Sequence, residues 1–321
     1  MATYYAVNAG GVWTTGATWS TVSAKDASRV GGSVAPTNAD DCIADDYSGS
    51  LTVSSTAAAK TFNCAINGNY AGTLTINASI ILAISGSITF STTMTIAGTG
   101  ILRISAASSI TTNGKQIPNL SLYYNGNITL LDALTVAGAI TQDGTAPVFV
   151  GAFNITCATL TFCFGTITLV SGQTLTVTST LNINKRFTDA VITLKASTAS
   201  SAAFFNFSGS IANCNIAQAT FTDIDASGSA QGLDNWYGGT LTRTTNITNR
   251  TGADFATAAQ ADSIISGTTI SGVAGTYHEA TEAEVQSGIT FGPSSSYTGT
   301  YVGGGGGGLI RHPGMNGGLN G

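Results

Sequence analysis

Along most of the chain apolar and polar residues alternate in short triplets, with almost no helical periodicity. The triplets begin with LTV at 51, FNC at 62, LTI at 74, ITF at 88, MTI at 94 and LRI at 102. They continue as LSL at 120, ITL at 128, LTV at 134, ITC at 155, LTF at 160, ITL at 167, LTV at 175, LNI at 181 and ITL at 192. A period of two places alternate side chains on opposite faces of a strand. Gly, Asn or Ser separates neighbouring triplets, so each predicted strand is about three to five residues long and three of them fill a turn of about 20 residues.

That period points to a solenoid. A sandwich or an up-and-down barrel has longer strands and more turn signals of the Asn-Gly type. In a parallel β-helix each coil stacks on the last at about 4.8 Å. Leu, Ile, Val, Phe and Cys then point inward, and Thr and Ser point outward on the pleat, where no long charged side chain is needed. Residues 51–222 supply roughly eight or nine coils of about 20 residues, a rod on the order of 40 Å long. The expected fold is therefore all-β, a parallel β-helix.

Charge sets the boundaries. Residues 51–222 hold nine charged side chains, whereas Asp40, Asp41, Asp45 and Asp46 crowd the segment before them and the three glutamates fall between 279 and 284. A β-helix leaves unpaired backbone at each end. Residues 1–50, with Trp13, Trp19 and Pro36, are expected to form an N-terminal cap, and residues 51–245 the β-helix with closing coils that carry Trp236. Residues 246–302 are expected to form a small C-terminal module. Within it SGTTISGVAGTY (266–277) is echoed by SGITFGPSSSYTGTY (287–301), and HEATEAEVQSG (278–288) predicts one short helix. Thr281 serves as its N-cap, Glu284 completes a capping box and Gly288 lies past its end. Residues 303–321 open with six glycines and end in a short tail. A glycine run is a flexible linker, so Leu309, Ile310, Arg311, His312, Pro313 and Met315 are expected to dock on a neighbouring chain.

The composition excludes several function classes. Only 8% of residues are charged, the net charge is −5 and the few Lys and Arg are scattered, so there is no basic footprint for nucleic acid. Apolar runs such as Ile80–Ile84 last about five residues, too short to span a membrane. The opening residues lack the pattern of a signal peptide. Five cysteines, with no CxxC spacing, are expected to be reduced core thiols.

The opening GGVWTTGATWS (10–20), with PTNADDCIAD (36–45) and SGSLTV (48–53), resembles the N-terminal cap of β-helical proteins of tailed bacteriophages and of some bacterial surface proteins. Residues 193–239 resemble their closing coils, and the SGITFG and YTGTY elements resemble short modules near the ends of phage structural proteins. The resemblance covers most of the chain and its motifs are architectural. It implies a virion structural protein, assembled in the host cytoplasm: a fibre, spike or capsid-decoration subunit. The partners it implies are copies of the chain itself, as a homotrimer, other capsid or tail components, and a host surface glycan.

Candidate chemistry is sparse, and no cofactor or metal is expected. The two histidines, His278 and His312, lie beyond the β-helix, so no imidazole base is available on it, and isolated cysteines cannot assemble a zinc site. Asp223 and Asp225 are the candidate carboxylate pair. On one strand they would share a face about 6.6 Å apart, near the acid–base separation of inverting glycosidases, but they sit in the proposed closing coil, where aspartates are expected to tighten turns through side-chain to backbone bonds. Asp132, Asp143 and Asp189 are too scattered to pair. The cluster Asp40, Asp41, Asp45 and Asp46 offers oxygen donors for calcium without the EF-hand spacing, and is expected to be a solvated cap loop. Tyr123, Tyr124, Trp236 and Tyr237 are candidate aromatic contacts for a sugar or a partner protein, with core or cap packing as the alternative. Two function classes compete with the structural one: a tailspike-like polysaccharide depolymerase using the carboxylate pair, and a bacterial surface adhesin.

Overall fold

A computed structural model describes residues 1–250 except 67, 124–126, 143–147, 152, 185–191 and 237–238. Beyond 250 it describes the short strands at 269–270, 273–274, 290–291 and 297–298. The chain forms two compact units, Met1–Arg250 and Thr251–Gly321.

The first unit is all-β and built on parallel ladders. Its strands fall into a twelve-stranded, a four-stranded and a thirteen-stranded sheet, which the chain visits in rotation from Asp41 to Gly98; beyond Gly98 the strands belong to the twelve- and thirteen-stranded sheets alone. From Asp41–Ile43 in the twelve-stranded sheet it passes to Leu51–Val53 in the four-stranded sheet and Ala57–Ala59 in the thirteen-stranded sheet. It then returns to the twelve-stranded sheet at Thr61–Asn63, in parallel register with Cys42 opposite Phe62. The same return places Ile88 opposite Ile110, and Ile110 opposite Leu130. The interval varies with the length of the connections. Phe149 pairs with Ile167 after a short return, and Ile167 pairs with Leu194 after a longer one.

Alternation decides which side chains are buried. In the thirteen-stranded sheet Ala57, Leu82, Leu102, Leu120, Ile140, Leu160 and Leu181 stack in register and are buried. The intervening positions make a column on the opposite face, Ala83, Arg103, Ser121, Thr141, Thr161, Asn182 and Asn215, all half-buried or exposed apart from Ser121, which is fully buried. Each buried Leu or Ile contributes roughly 1.5–3 kcal/mol by leaving water. The outward positions keep the ladder in register, as where Asn215 Nδ2 donates to Asn182 Oδ1 at 3.3 Å.

Three expectations need correction. Strands are not uniformly short: Ile155–Phe162 and Thr174–Asn184 each fuse two triplets, and Leu134–Gln142 runs on well past its one. Register shifts between Val136 and Ala139, and between Cys157 and Thr159, let both triplets of a fused strand keep their apolar side chains inward. Residues 1–50 are more than a cap, because Thr3–Ala6 pairs in parallel with Asp41–Ile43, and Gly11–Val12 with Leu51–Val53. The covering element is Trp19–Ser20, which pairs antiparallel with Thr3–Ala6 and ends the twelve-stranded sheet. Trp13 and Trp19 are fully buried there, with ring centroids 4.7 Å apart. The first unit also extends past 245 to Arg250, because Ile247–Arg250 adds a final parallel strand beside Leu233–Trp236.

In the second unit the sequence repeat has a structural counterpart. Thr269–Ile270 pairs antiparallel with Val273–Ala274, and Thr290–Phe291 with Tyr297–Thr298, one pair in each copy. The short helix expected over HEATEAEVQSG lies outside the described residues. Among the described residues no helix is long and apolar enough to cross a membrane.

Candidate functional site

The acidic cluster before residue 50 is structural, and two of its members, Asp40 and Asp45, are buried. Asp45 and Arg29 are both fully buried and meet through two parallel contacts, Nη1 to Oδ1 at 2.7 Å and Nη2 to Oδ2 at 2.9 Å. The guanidinium also donates to the carbonyls of Ala24 and Ser23, and it lies 5.3 and 5.2 Å from the rings of Tyr5 and Tyr47. Burial alone raises the Asp45 carboxyl, but hydrogen bonds from Arg29, Ser48 and the Tyr47 N–H hold it below the ordinary carboxylate range. Asp40 accepts from the Ala2 N–H at 2.8 Å and from the Thr37 hydroxyl at 2.8 Å, the first being the main cause of its lowered pKa. Asp41 accepts from the Thr61 hydroxyl at 2.7 Å, and Asp46 pairs with Lys25. The expected solvated loop is thus a set of clamps that fasten residues 20–48 to the first strands. No group of three or more metal-binding side chains occurs among the described residues.

Asp223 and Asp225 do not form the candidate carboxylate pair on one strand face; both accept backbone N–H bonds, as expected of aspartates in a closing coil. Only Ile224–Asp225 is strand; Asp223 precedes it with φ +56°, a left-handed backbone that breaks the alternation. Asp223 is buried and receives both Nε and Nη2 of Arg243, the latter at 2.7 Å, together with the Ser200 N–H at 3.0 Å. The Arg243 hydrogen bond is the main cause of its lowered pKa, opposite to the raised value a general acid needs. Asp225 accepts from the Ser227 N–H at 2.8 Å, which closes a turn. Asp132 likewise clamps the neighbouring turn, accepting from the Thr112 N–H at 2.7 Å and from the Asn113 N–H.

An Asp223→Asn substitution tests this assignment. A carboxyl with a depressed folded pKa adds stability that is fully present above its unfolded value, about 3.9, and is lost as the pH falls through the folded value. The variant should melt below the parent at pH 7, and the difference should vanish on acidification. A difference in Tm that does not change between pH 7 and pH 2 would contradict the ion-pair role.

Three of the five cysteines lie in the core as expected, whereas Cys163 and Cys214 are half-buried. Cys42, Cys64 and Cys157 are buried, and no disulfide occurs among the described residues. Burial pushes the Cys157 thiol up to about 12 and raises Cys42 and Cys64 further from reactivity.

Of the aromatic candidates, Tyr123 is 51% exposed and lies against Arg103, whose guanidinium carbon is 4.7 Å from the ring centroid. Tyr124 and Tyr237 lie outside the described residues, as do Asp143, Asp189, His278, His312 and the docking peptide Leu309, Ile310, Arg311, His312, Pro313 and Met315. Trp236 ends the strand Leu233–Trp236, and its side chain lies outside the described ones.

One feature is invisible to triplet periodicity. The parallel ladder is not made between Thr95–Gly98 and Gln116–Ile117, although each strand pairs with its other neighbour. A groove of about 460 Å³ opens there, lined by Ile96, Thr99, Gln116, Pro118, Asn119 and Ala137 with Gly98 and Gly138. Pro118 has no N–H to contribute to a ladder at this point.

Comparison of the chain with protein-family models, with curated proteins and with solved structures finds no match.

Proposed function

We propose that the parallel sheets of the first unit close on one another into a parallel β-helix, and that the protein is a structural component of a bacteriophage virion. In this reading it is a rigid fibre, spike or capsid-decoration subunit, trimeric, and anchored to a neighbouring virion protein through its C-terminal segment. The supporting observation is the succession of parallel ladders that links Thr3–Ala6 to Leu241–Thr242 in one sheet and Ala57–Ala59 to Ile247–Arg250 in another, around stacked apolar side chains. The described carboxylates fit a structural role, since Asp40, Asp45, Asp132 and Asp223 all hold the chain to itself. Rigidity comes from the ladders. Attachment comes from the tail, as an extended peptide added to a groove or sheet edge of a neighbour. Threefold association multiplies a weak tail contact by avidity.

The twelve-stranded sheet with its single antiparallel end strand corresponds to eleven parallel rungs, a rod about 50 Å long at about 4.8 Å per rung. X-ray scattering of the purified protein should give a rod-like cross-section, and sedimentation equilibrium the mass of three chains. Deleting residues 303–321 should preserve both properties and abolish incorporation into particles. Normal occupancy of the truncated chain would sink the tail assignment, and globular scattering would sink the rod.

A further inference from the structure

Both walls of the groove between Thr95–Gly98 and Gln116–Ile117 present strand backbone that no ladder joins. Neighbouring residues of a strand turn their N–H and C=O to opposite sides. The Thr95 N–H donates to the Gly72 carbonyl at 3.1 Å, so Thr95 faces Thr73–Ile76 and Ile96 turns its backbone the other way, to the groove. On the far wall the Gly138 N–H donates to the Pro118 carbonyl at 2.8 Å, which turns Pro118 to Leu134–Gln142 and leaves Ile117 facing back. At one end Asn119 takes the place of the missing ladder, its Nδ2 donating to the Thr99 carbonyl at 2.9 Å and its Oδ1 accepting from the Ala139 N–H at 2.9 Å. The rest is open, with Gly98, Thr99, Gln116 and Ala137 all exposed.

The core is uncovered at the same place. Leu51, Leu74 and Ile96 stack in register, yet Leu51 and Leu74 are fully buried and Ile96 is only half-buried. On the far wall Ile117 and Val136, opposite each other, are buried again. The lining carries no charge. What suits such a site is an extended peptide, which offers backbone N–H and C=O to the free strand edge and one apolar side chain to the column that ends at Ile96.

We infer that the occupant is Leu309–His312 of a second copy of this chain. The inference rests on the reading of the C-terminal tail as a docking peptide, and it names the partner. Leu309 and Ile310 follow six glycines, which give reach and carry no side chain to obstruct entry. With Ile310 turned to the core beside Ile96, Leu309 and Arg311 point outward. Pro313 has no N–H and ends the pairing after Leu309–His312, a segment as long as the four-residue strand Thr95–Gly98. Each copy has one such tail and one such groove, so a contact passed from copy to copy leaves no free end only when it closes into a ring. A trimer is such a ring.

The test uses full-length protein with the photo-crosslinker p-benzoylphenylalanine in place of Leu309, assembled from mixed light and isotope-labelled copies and read by mass spectrometry. Irradiation is expected to join position 309 to residues 95–99 or 116–119 in pairs of one light and one heavy copy. Ile310→Asp, which puts a charge on the apolar column, should remove these crosslinks. Ala137→Trp should remove them too, because it fills the groove from an exposed position, while Thr161→Ala, outside the groove, should leave them. Melting temperatures of the variants check that each is folded. The inference is overturned if crosslinks form only within a copy, if they reach other residues, or if they survive in folded Ile310→Asp or Ala137→Trp protein. Crosslinks in the particle to a different virion protein would also overturn it while leaving attachment through the tail intact, and occupancy of the truncated chain tests that attachment separately.

Discussion

An Asp45→Ala substitution is expected to destabilise the N-terminal part of the first unit by about 3–5 kcal/mol, because it strands the buried Arg29 guanidinium without its counter-charge. Arg29 carries much of the organisation of this segment: it holds the carbonyls of Ser23 and Ala24, packs between Tyr5 and Tyr47, and fastens the loop to Asp45. Urea unfolding followed by tryptophan fluorescence reads the effect, since Trp13 and Trp19 are fully buried beside this loop. Replacing both partners with apolar residues, Arg29→Met with Asp45→Leu, should recover most of the loss, because the desolvation of two charges is removed along with their attraction. The sign of the pH dependence follows from the lowered Asp45 pKa. The pair contributes fully above the unfolded carboxylate value, and its contribution disappears as the pH falls through the folded value. Equal urea midpoints for Asp45→Ala and the parent at pH 7 would show that the pair does not hold the segment.

This pair also marks where the sequence stops being legible. The triplets from Leu51 to Leu194 announce their strands because alternation is a local signal, and the parallel registers repeat at intervals close to one turn of the expected solenoid. The repeat at 266 and 287 likewise corresponds to two antiparallel pairs. Thr3–Ala6 carries no such triplet, and its place in the twelve-stranded sheet depends on Asp41–Ile43, a partner far along the chain. Four aspartates within seven positions look like a solvated loop until Arg29, well before Asp45 in the chain, is placed among them. Asp223 and Asp225 look like partners on one face because alternation presumes extended backbone, and the positive φ of Asp223 removes that premise. The groove could not be read at all: it arises where a ladder is missing, and a missing ladder has no periodicity.

A Leu160→Ala substitution should remove about 2–5 kcal/mol of stability, while Thr161→Ala, the next residue, should change it by no more than about 0.5 kcal/mol. Leu160 is 1% exposed and stacks between Ile140 and Leu181. Its surroundings include Leu122, Ile155, Phe162 and Leu175. These neighbours are each fixed by their own rung, so they cannot collapse into the space that the truncation leaves, and the cavity term adds to the lost burial. Thr161 points outward between Thr141 and Asn182, where water replaces what alanine removes. Because each rung touches only the next, the damage should spread along the stack, and amide exchange should quicken first in the rungs beside Leu160. Equal losses from Leu160→Ala and Thr161→Ala would mean that the alternation does not separate an inside from an outside, and the β-helix proposed for the first unit would fall with it.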